Sequence, residues 1–198
     1  MYRIRFHGRG GQGMKTASRI LGSAFFLEGF EVQDAPRYGA ERRGAPIFAY
    51  VRASRQSINE RGIIHQPDLV VVADDSLVPI PAAGVLQGLD THTLTLINSH
   101  SSAADWQQRL NLSGTVLILP AMEEVEDRAE LPFVGTTCAG AAARLVGVIS
   151  RDALAGAIRA ELGALGTQLV EKNTESALHA YDLMEAHAGS VTEGKAHS

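Results

Sequence analysis

Apolar residues along the chain fall into two kinds of pattern, short continuous runs and longer stretches with helical spacing. The opening RIRFH, residues 3–7, predicts a buried strand. Over residues 12–27, Met14, Ile20, Leu21, Ala24, Phe25 and Leu27 line one face at helical spacing, and Gly29 supplies a C-terminal stop. FEVQ predicts a second short strand leading to Asp34, and DAPRYGAERRGAP is too rich in charge, Gly and Pro for regular structure. IFAYVRAS alternates as a strand would, followed by a turn at Gln56 and Ser57 and a short second arm reaching Ile64. DLVVVAD holds a continuous apolar run, as expected of a central parallel strand covered on both faces, and TLTLIN and GTVLILP look like two more of the same kind. Helical stretches follow over 137–149, 151–162 and 168–187, and the small polar residues from Ala188 onward read as a flexible tail.

The strand and crossover rhythm predicts a single α/β domain over residues 1–187, with a tail over 188–198. Its sheet is mostly parallel and doubly wound (Rossmann-like), flanked by helices, with a helical C-terminus. Hydrophobic residues make up 45% of the chain and the net charge is −4, so one sizeable core fits and a broad nucleic-acid footprint has no electrostatic support. No signal-peptide pattern opens the chain, and no apolar run approaches the roughly 18 to 20 residues of a membrane span. A cytoplasmic location without membrane contact is the expectation. Cys138 is the only cysteine, which excludes an internal disulfide and an iron-sulfur cluster held by four cysteines of this chain. Any electrons must be carried by another subunit or a bound cofactor.

Chemistry is suggested first by HGRGGQG at residues 7–13. Glycines between a strand and a helix permit positive φ and close backbone approach, while the helix start offers unpaired N–H groups and partial positive charge. Read as Gly8-x-Gly10-x-x-Gly13, with Asp34 about 20 residues on, the stretch matches a dinucleotide fingerprint. Gly11 and Gln12 are not required by a pyrophosphate turn, and the chain after Asp34 enters a charged loop rather than another Rossmann unit. The pattern alone therefore leaves several readings open: NAD or FAD, another phosphate ligand, a subunit contact, or a structural turn.

The second constellation, PRYGAERRGAP, gathers Arg37, Tyr38, Gly39, Glu41, Arg42, Arg43, Gly44 and Pro46. Tyr and Arg are enriched at interface hot spots and at carboxylate or phosphate contacts, which favours an interface over a solvated loop. GRGGQG followed by PRYGAERRGAPIFAYVR closely resembles the gamma subunit of the 2-oxoacid:acceptor oxidoreductases of the pyruvate:ferredoxin type. The resemblance runs over nearly the whole chain and includes Asn173 in EKNTESALHAYD, where the family commonly has asparagine.

That resemblance implies one chain of a multi-subunit enzyme that oxidatively decarboxylates a 2-oxoacid to an acyl-CoA. Thiamine diphosphate and Mg2+ would lie between alpha and beta subunits. 4Fe-4S clusters in a ferredoxin-like delta chain would take the electrons, with FAD or NAD in further subunits of some complexes. The gamma chain would carry no catalytic residue and no metal. Gly8, Arg9, Gly10, Gly11, Gln12 and Gly13 would contact a coenzyme A phosphate or a neighbouring subunit. Tyr38, Gly39, Arg42, Arg43 and Gly44 would lie at the subunit contact near the active-site channel. In GTTCAGAAARLVG the asparagine often found ahead of the family's helix is replaced by Thr136 or Thr137. An aromatic or branched 2-oxoacid, of the phenylglyoxylate or indolepyruvate type, is the alternative substrate class. The rivals from other classes are a stand-alone NAD-dependent oxidoreductase and a nucleotide-binding regulatory module.

The seven histidines show no metal-ligand spacing. His7, beside the glycine loop, reads as a structural histidine ahead of a ligand contact. Cys138 reads as a small buried packing residue, and the Asp74-Asp75 pair as the cap of a following helix ahead of a site at the strand end.

Overall fold

The computed structural model describes residues 1–37, 45–112, 114–120 and 133–194. Six strands, β1 (Tyr2–Arg9), β2 (Glu31–Arg37), β3 (Pro46–Ser54), β4 (Leu69–Val72), β5 (Leu94–Ser99) and β6 (Thr115–Pro120), form one sheet in the order β2-β3-β1-β4-β5-β6. β1, β4, β5 and β6 pair in parallel, and β3 pairs antiparallel with both β1 and β2. The doubly wound α/β reading of the sequence holds, with an antiparallel edge.

The period-2 geometry of β1 splits its side chains between the two faces. Tyr2, Ile4 and Phe6 join a core with Leu69, Val71, Leu96 and the helices α1 (Met14–Leu27), α3 (Val134–Val146), α4 (Arg151–Leu162) and α5 (Thr167–Leu183). The intervening Arg3, Arg5 and His7 are also buried. In β4 and β5, Val70, Val72 and Ile97 pack on the other face against Leu77, Val78, Val85 and Trp106, the last in α2 (Ala103–Leu110). This double cover is what the unbroken apolar runs require. Ile4 and Phe6 are fully buried, and at about 1.5–3 kcal/mol for each such side chain they anchor β1, so the loop after it starts from a rigid strand.

Several boundaries differ from expectation for local reasons. β2 continues through Pro36 to Arg37, which an edge strand tolerates because a proline there need not donate to a neighbour. No second arm follows β3: the chain after Ser54 contains no strand before Leu69. Instead, Glu60 pairs with Arg3 at 2.5 Å and with Arg52 at 3.5 Å. Two buried guanidiniums on one sheet face call for a carboxylate rather than another apolar strand. α3 begins and ends three residues earlier than its periodicity suggested, because Gly147, at φ 72°, stops it. α2 was not singled out by periodicity; it is short and starts at the capping box formed by Ser102 and Asp105.

The residues expected to form a tail start against the body. Gly189 and Val191 donate backbone hydrogen bonds to Arg144 and Leu145, and Val191 is buried. Residues 195–198 lie outside the described residues.

Candidate functional site at the glycine loop

β1 delivers the chain to the glycine loop at the C-terminal edge of the parallel strands, where α/β sheets place ligands. Gly8 leaves no room for a side chain, since a Cβ there would lie 2.7 Å from Met14 Cγ. Gly11 and Gly13 adopt φ values of 97° and 77°, the left-handed region that glycine reaches without strain. Gly13 caps α1, accepting from the Ala17 N–H at 2.8 Å.

The loop is tied down from several sides. Gln12 Oε1 accepts from the Arg9 N–H at 2.7 Å, and the Gln12 N–H donates to the Arg9 carbonyl at 3.0 Å. The Gly10 N–H donates to the Ala45 carbonyl at 2.9 Å. Three loop amides, those of Arg9, Gly10 and Gln12, are thereby committed within the protein. No hydrogen bond among the described residues engages the amides of Gly11 and Gly13, which join the unpaired first-turn amides of α1 at its positive end.

Arg9 does not stand free over the loop. Its Nε donates to Asp74 Oδ2 at 2.9 Å and its Nη2 to Ser76 Oγ at 2.8 Å, while Gln12 Nε2 reaches the same Asp74 oxygen at 3.3 Å. Asp74 also accepts from the Ser76 N–H at the start of the turn Asp75–Leu77, the capping role its position suggested. Burial raises the Asp74 carboxyl, but hydrogen bonds from Ser76 and the neighbouring Arg9 charge outweigh it and hold the group below the usual carboxylate range. Asp75 accepts instead from Ser99 Oγ.

A second helix start closes on the loop. The Gly135 N–H donates to the Gln12 carbonyl at 3.1 Å, and a Cβ on Gly135 would sit 2.5 Å from the Gly13 oxygen. Asn173, buried in α5, accepts from the Phe133 N–H at 2.9 Å through Oδ1 and donates to the Leu169 carbonyl through Nδ2. The asparagine noted in the sequence thus positions the α3 start that seals the loop. Ser76, Ala45, Phe133 and Gly135 were not selected from the sequence. A possible signal was GTT at the head of a small-residue helix, but its contact with residue 13 is long-range.

Other candidates fall elsewhere. Asp34 is level with Val51 in β3 and through it with Ile4 in β1. It is therefore two strands over, about 10 Å sideways, and roughly 13 Å back along the strand from Gly8. The inserted β3 occupies the place beside β1 from which a ribose-binding acid would act, so the geometry gives Asp34 no dinucleotide role. Cys138 is fully buried in α3, and burial pushes its thiol up to about 12, which makes it a packing residue. His7 makes one hydrogen bond, from Nδ1 to the Ala83 carbonyl at 3.1 Å. Among the described residues no group of three or more His, Cys, Asp or Glu side chains is placed to hold a metal ion, and no helix is long and apolar enough to cross a membrane. Tyr38, Gly39, Arg42, Arg43 and Gly44 lie outside the described residues. Their flanks are placed: Arg9 pairs with Pro46 and Gly8 with Ile47, so the second motif returns to the sheet beside the glycine loop.

Residues 3–183 match the family model described as pyruvate ferredoxin/flavodoxin oxidoreductase. The chain belongs to this family. It is 37% identical over 186 residues to the pyruvate/ketoisovalerate oxidoreductases common subunit gamma of Pyrococcus furiosus, covering 93% of this chain and 98% of that one. It is 36% identical over 190 residues to the pyruvate synthase subunit PorC of Methanothermobacter marburgensis, covering 96% and 100%. The crystal structure of the pyruvate oxidoreductase subunit PORC of Thermotoga maritima superposes with a TM-score of 0.74 at 27% identity, over 91% of this chain and 95% of that one. The gamma-subunit resemblance carried by the two motifs therefore holds, and the chain is an oxidoreductase subunit of this family rather than a free-standing Rossmann enzyme.

Proposed function

We propose that the chain serves as the gamma subunit of a thiamine-diphosphate-dependent complex that oxidatively decarboxylates a 2-oxoacid to an acyl-CoA, with alpha, beta and ferredoxin-like delta chains as partners. The relatives named for pyruvate and ketoisovalerate favour small aliphatic 2-oxoacids. Thiamine diphosphate supplies the decarboxylation chemistry and iron-sulfur clusters accept the electrons, both on other chains, in the cytoplasm. The domain reaches past residue 187 to take in Gly189 and Val191, which pack on the body.

The part assigned to this chain is an anion seat on the coenzyme A side. The observation that carries it is the pair of uncommitted amides, Gly11 and Gly13, at the start of α1. Such a helix start binds phosphate oxygens through N–H donors and its dipole. Arg9 contributes less directly than its charge suggests, because Asp74 and Ser76 hold it; its role is to fix the loop through Gln12. Lys15, exposed in the first turn of α1, is an additional cation at this end. Tyr38, Arg42 and Arg43 belong to the subunit contact beside the loop.

The test is Gly11→Val in the assembled complex. Gly11 has open space around it but a φ of 97°, so a valine distorts the loop and covers its outer face without invading the core. The coenzyme A concentration for half-maximal rate should rise at least tenfold while thiamine content is unchanged. An unaltered coenzyme A dependence would rule the seat out.

A further inference from the structure

On the sheet face away from α1, a second recess lies under β1 and β3. It is a cleft of about 700 Å3, within the usual range for small-molecule sites. Arg5 and His7 line its floor, Phe48 and Tyr50 one wall, and the segments around Ile64 and Ala83 the others. The walls are preformed. Arg5 Nη2 donates to the Val85 carbonyl at 3.0 Å, and its Nη1 lies 3.4 Å from the Ile64 carbonyl, so the guanidinium bridges both segments. A Cβ on Gly88 would lie 1.7 Å from the His65 oxygen, which places the two backbones in contact.

Among the described residues that line it, the cleft has no negative charge. Arg5 is only 3% exposed, forms no ion pair, and its Nε has no hydrogen-bond partner. Arg3 and Arg52, on the same face, share Glu60, which leaves Arg5 uncompensated. His7, also 3% exposed, has an unpartnered Nε2. A buried guanidinium normally has a counter-ion because desolvating a lone charge is costly, and its planar fork matches a carboxylate.

We propose that this cleft binds a small organic carboxylate, its anionic end toward Arg5 and His7 and its apolar body against Phe48 and Tyr50. The site is distinct from the glycine loop: it opens on the opposite side of β1 and recognises a carboxylate by a buried side-chain cation rather than a phosphate by backbone amides. The inference does not depend on the coenzyme A reading.

Calorimetric titration of the full chain with benzoate and with its neutral isostere benzamide tests it. Benzoate should bind one to one and at least tenfold tighter than benzamide, and should shift the His7 ring nitrogen resonances. Arg5→Gln should weaken benzoate binding on the order of ten- to a hundredfold, the usual range for losing a charged hydrogen-bond partner. Because Arg5 also braces the walls, Ala82→Phe supplies a second variant. Ala82 is an exposed residue on the cleft's rim, and a phenyl ring there should block benzoate without touching the fold. Absence of benzoate binding at millimolar concentration, equal binding of benzamide, or unchanged affinity in Ala82→Phe would overturn the proposal.

Discussion

Gly135 at the start of α3 packs directly on Gly13 at the start of α1, so closely that a Cβ on Gly135 would lie 2.5 Å from the Gly13 carbonyl oxygen. Two helix N-termini thus meet at one loop, joined by the hydrogen bond from the Gly135 N–H to Gln12. Gly135→Ala should lower stability by about 1–3 kcal/mol, the usual cost of overpacking, and weaken coenzyme A use by the complex. Gly140→Ala is the control. Its Cβ would strike the Ala177 carbonyl at 2.1 Å, at the α3–α5 contact and away from the loop. It should cost stability alone, as urea unfolding and coenzyme A titration would show.

Asn173 holds the other side of that junction. Asn173→Ala removes the acceptor for the Phe133 N–H and the donor to Leu169 in a fully buried position. A loss of about 1–3 kcal/mol is expected for an orphaned buried group. Chemical denaturation checks it, and a change below a few tenths of a kcal/mol would show that α3 is capped some other way.

The Arg9–Asp74 pair should contribute little to stability despite its position. Both side chains are partly solvated, at 33% and 20% exposure, and such pairs couple by about 0–1 kcal/mol. A double-mutant cycle with Arg9→Ala and Asp74→Ala should return a coupling in that range. Its larger consequence should be a looser Gln12, read as faster hydrogen exchange at the amides of the glycine loop.

The pH dependence of stability should carry two opposed contributions. Burial, assisted by the charge of Arg5, pushes His7 down to about 3. The unfolded chain takes up a proton near 6.5, so stability falls as pH drops from about 6.5 toward 3. Asp68 runs the other way. Burial pushes it up to about 6 against the lowering effect of the Arg3 N–H and charge, so its contribution is fully present below about 3.8 and lost as pH rises through 6. Asp68→Asn should therefore steepen the fall in stability between pH 6 and 4, and His7→Gln should flatten it. Denaturant midpoints across pH 4–8 would reveal both, and parallel profiles for the two variants would contradict the assignment.

Cys138 should be chemically silent in the folded chain. It is fully buried and its thiol is pushed up to about 12 by that burial, so almost no thiolate exists at neutral pH. Reaction with a disulfide reagent should proceed at the unfolding rate; stoichiometric modification within seconds under native conditions would show that α3 opens locally.

Much of the fold and site was legible in the residues themselves because the signals are local. The unbroken apolar run of β4 marked a central parallel strand, since a strand covered on both faces has no reason to alternate. The glycines at 8–13 marked a tight strand-loop-helix turn, since glycine reaches without strain the backbone angles found at Gly11 and Gly13. The two motifs in order indicated the gamma-subunit family.

Tertiary structure decided what depends on neighbours distant in the chain. The antiparallel insertion of β3 between β2 and β1 moved Asp34 out of reach of the loop, and strand order is not written in the periodicity of any one strand. The commitment of Arg9 to Asp74, and of Gly10 to Ala45, spent groups that a linear reading leaves free for ligand. Most of all, β1 displays alternating arginines as RIRFH, but only the packed sheet shows that Arg3 found a carboxylate in Glu60 and Arg5 did not. The physical reason is common to all three. Local spacing determines which groups a segment presents, whereas the partners that neutralise or release them come from elements brought alongside by folding.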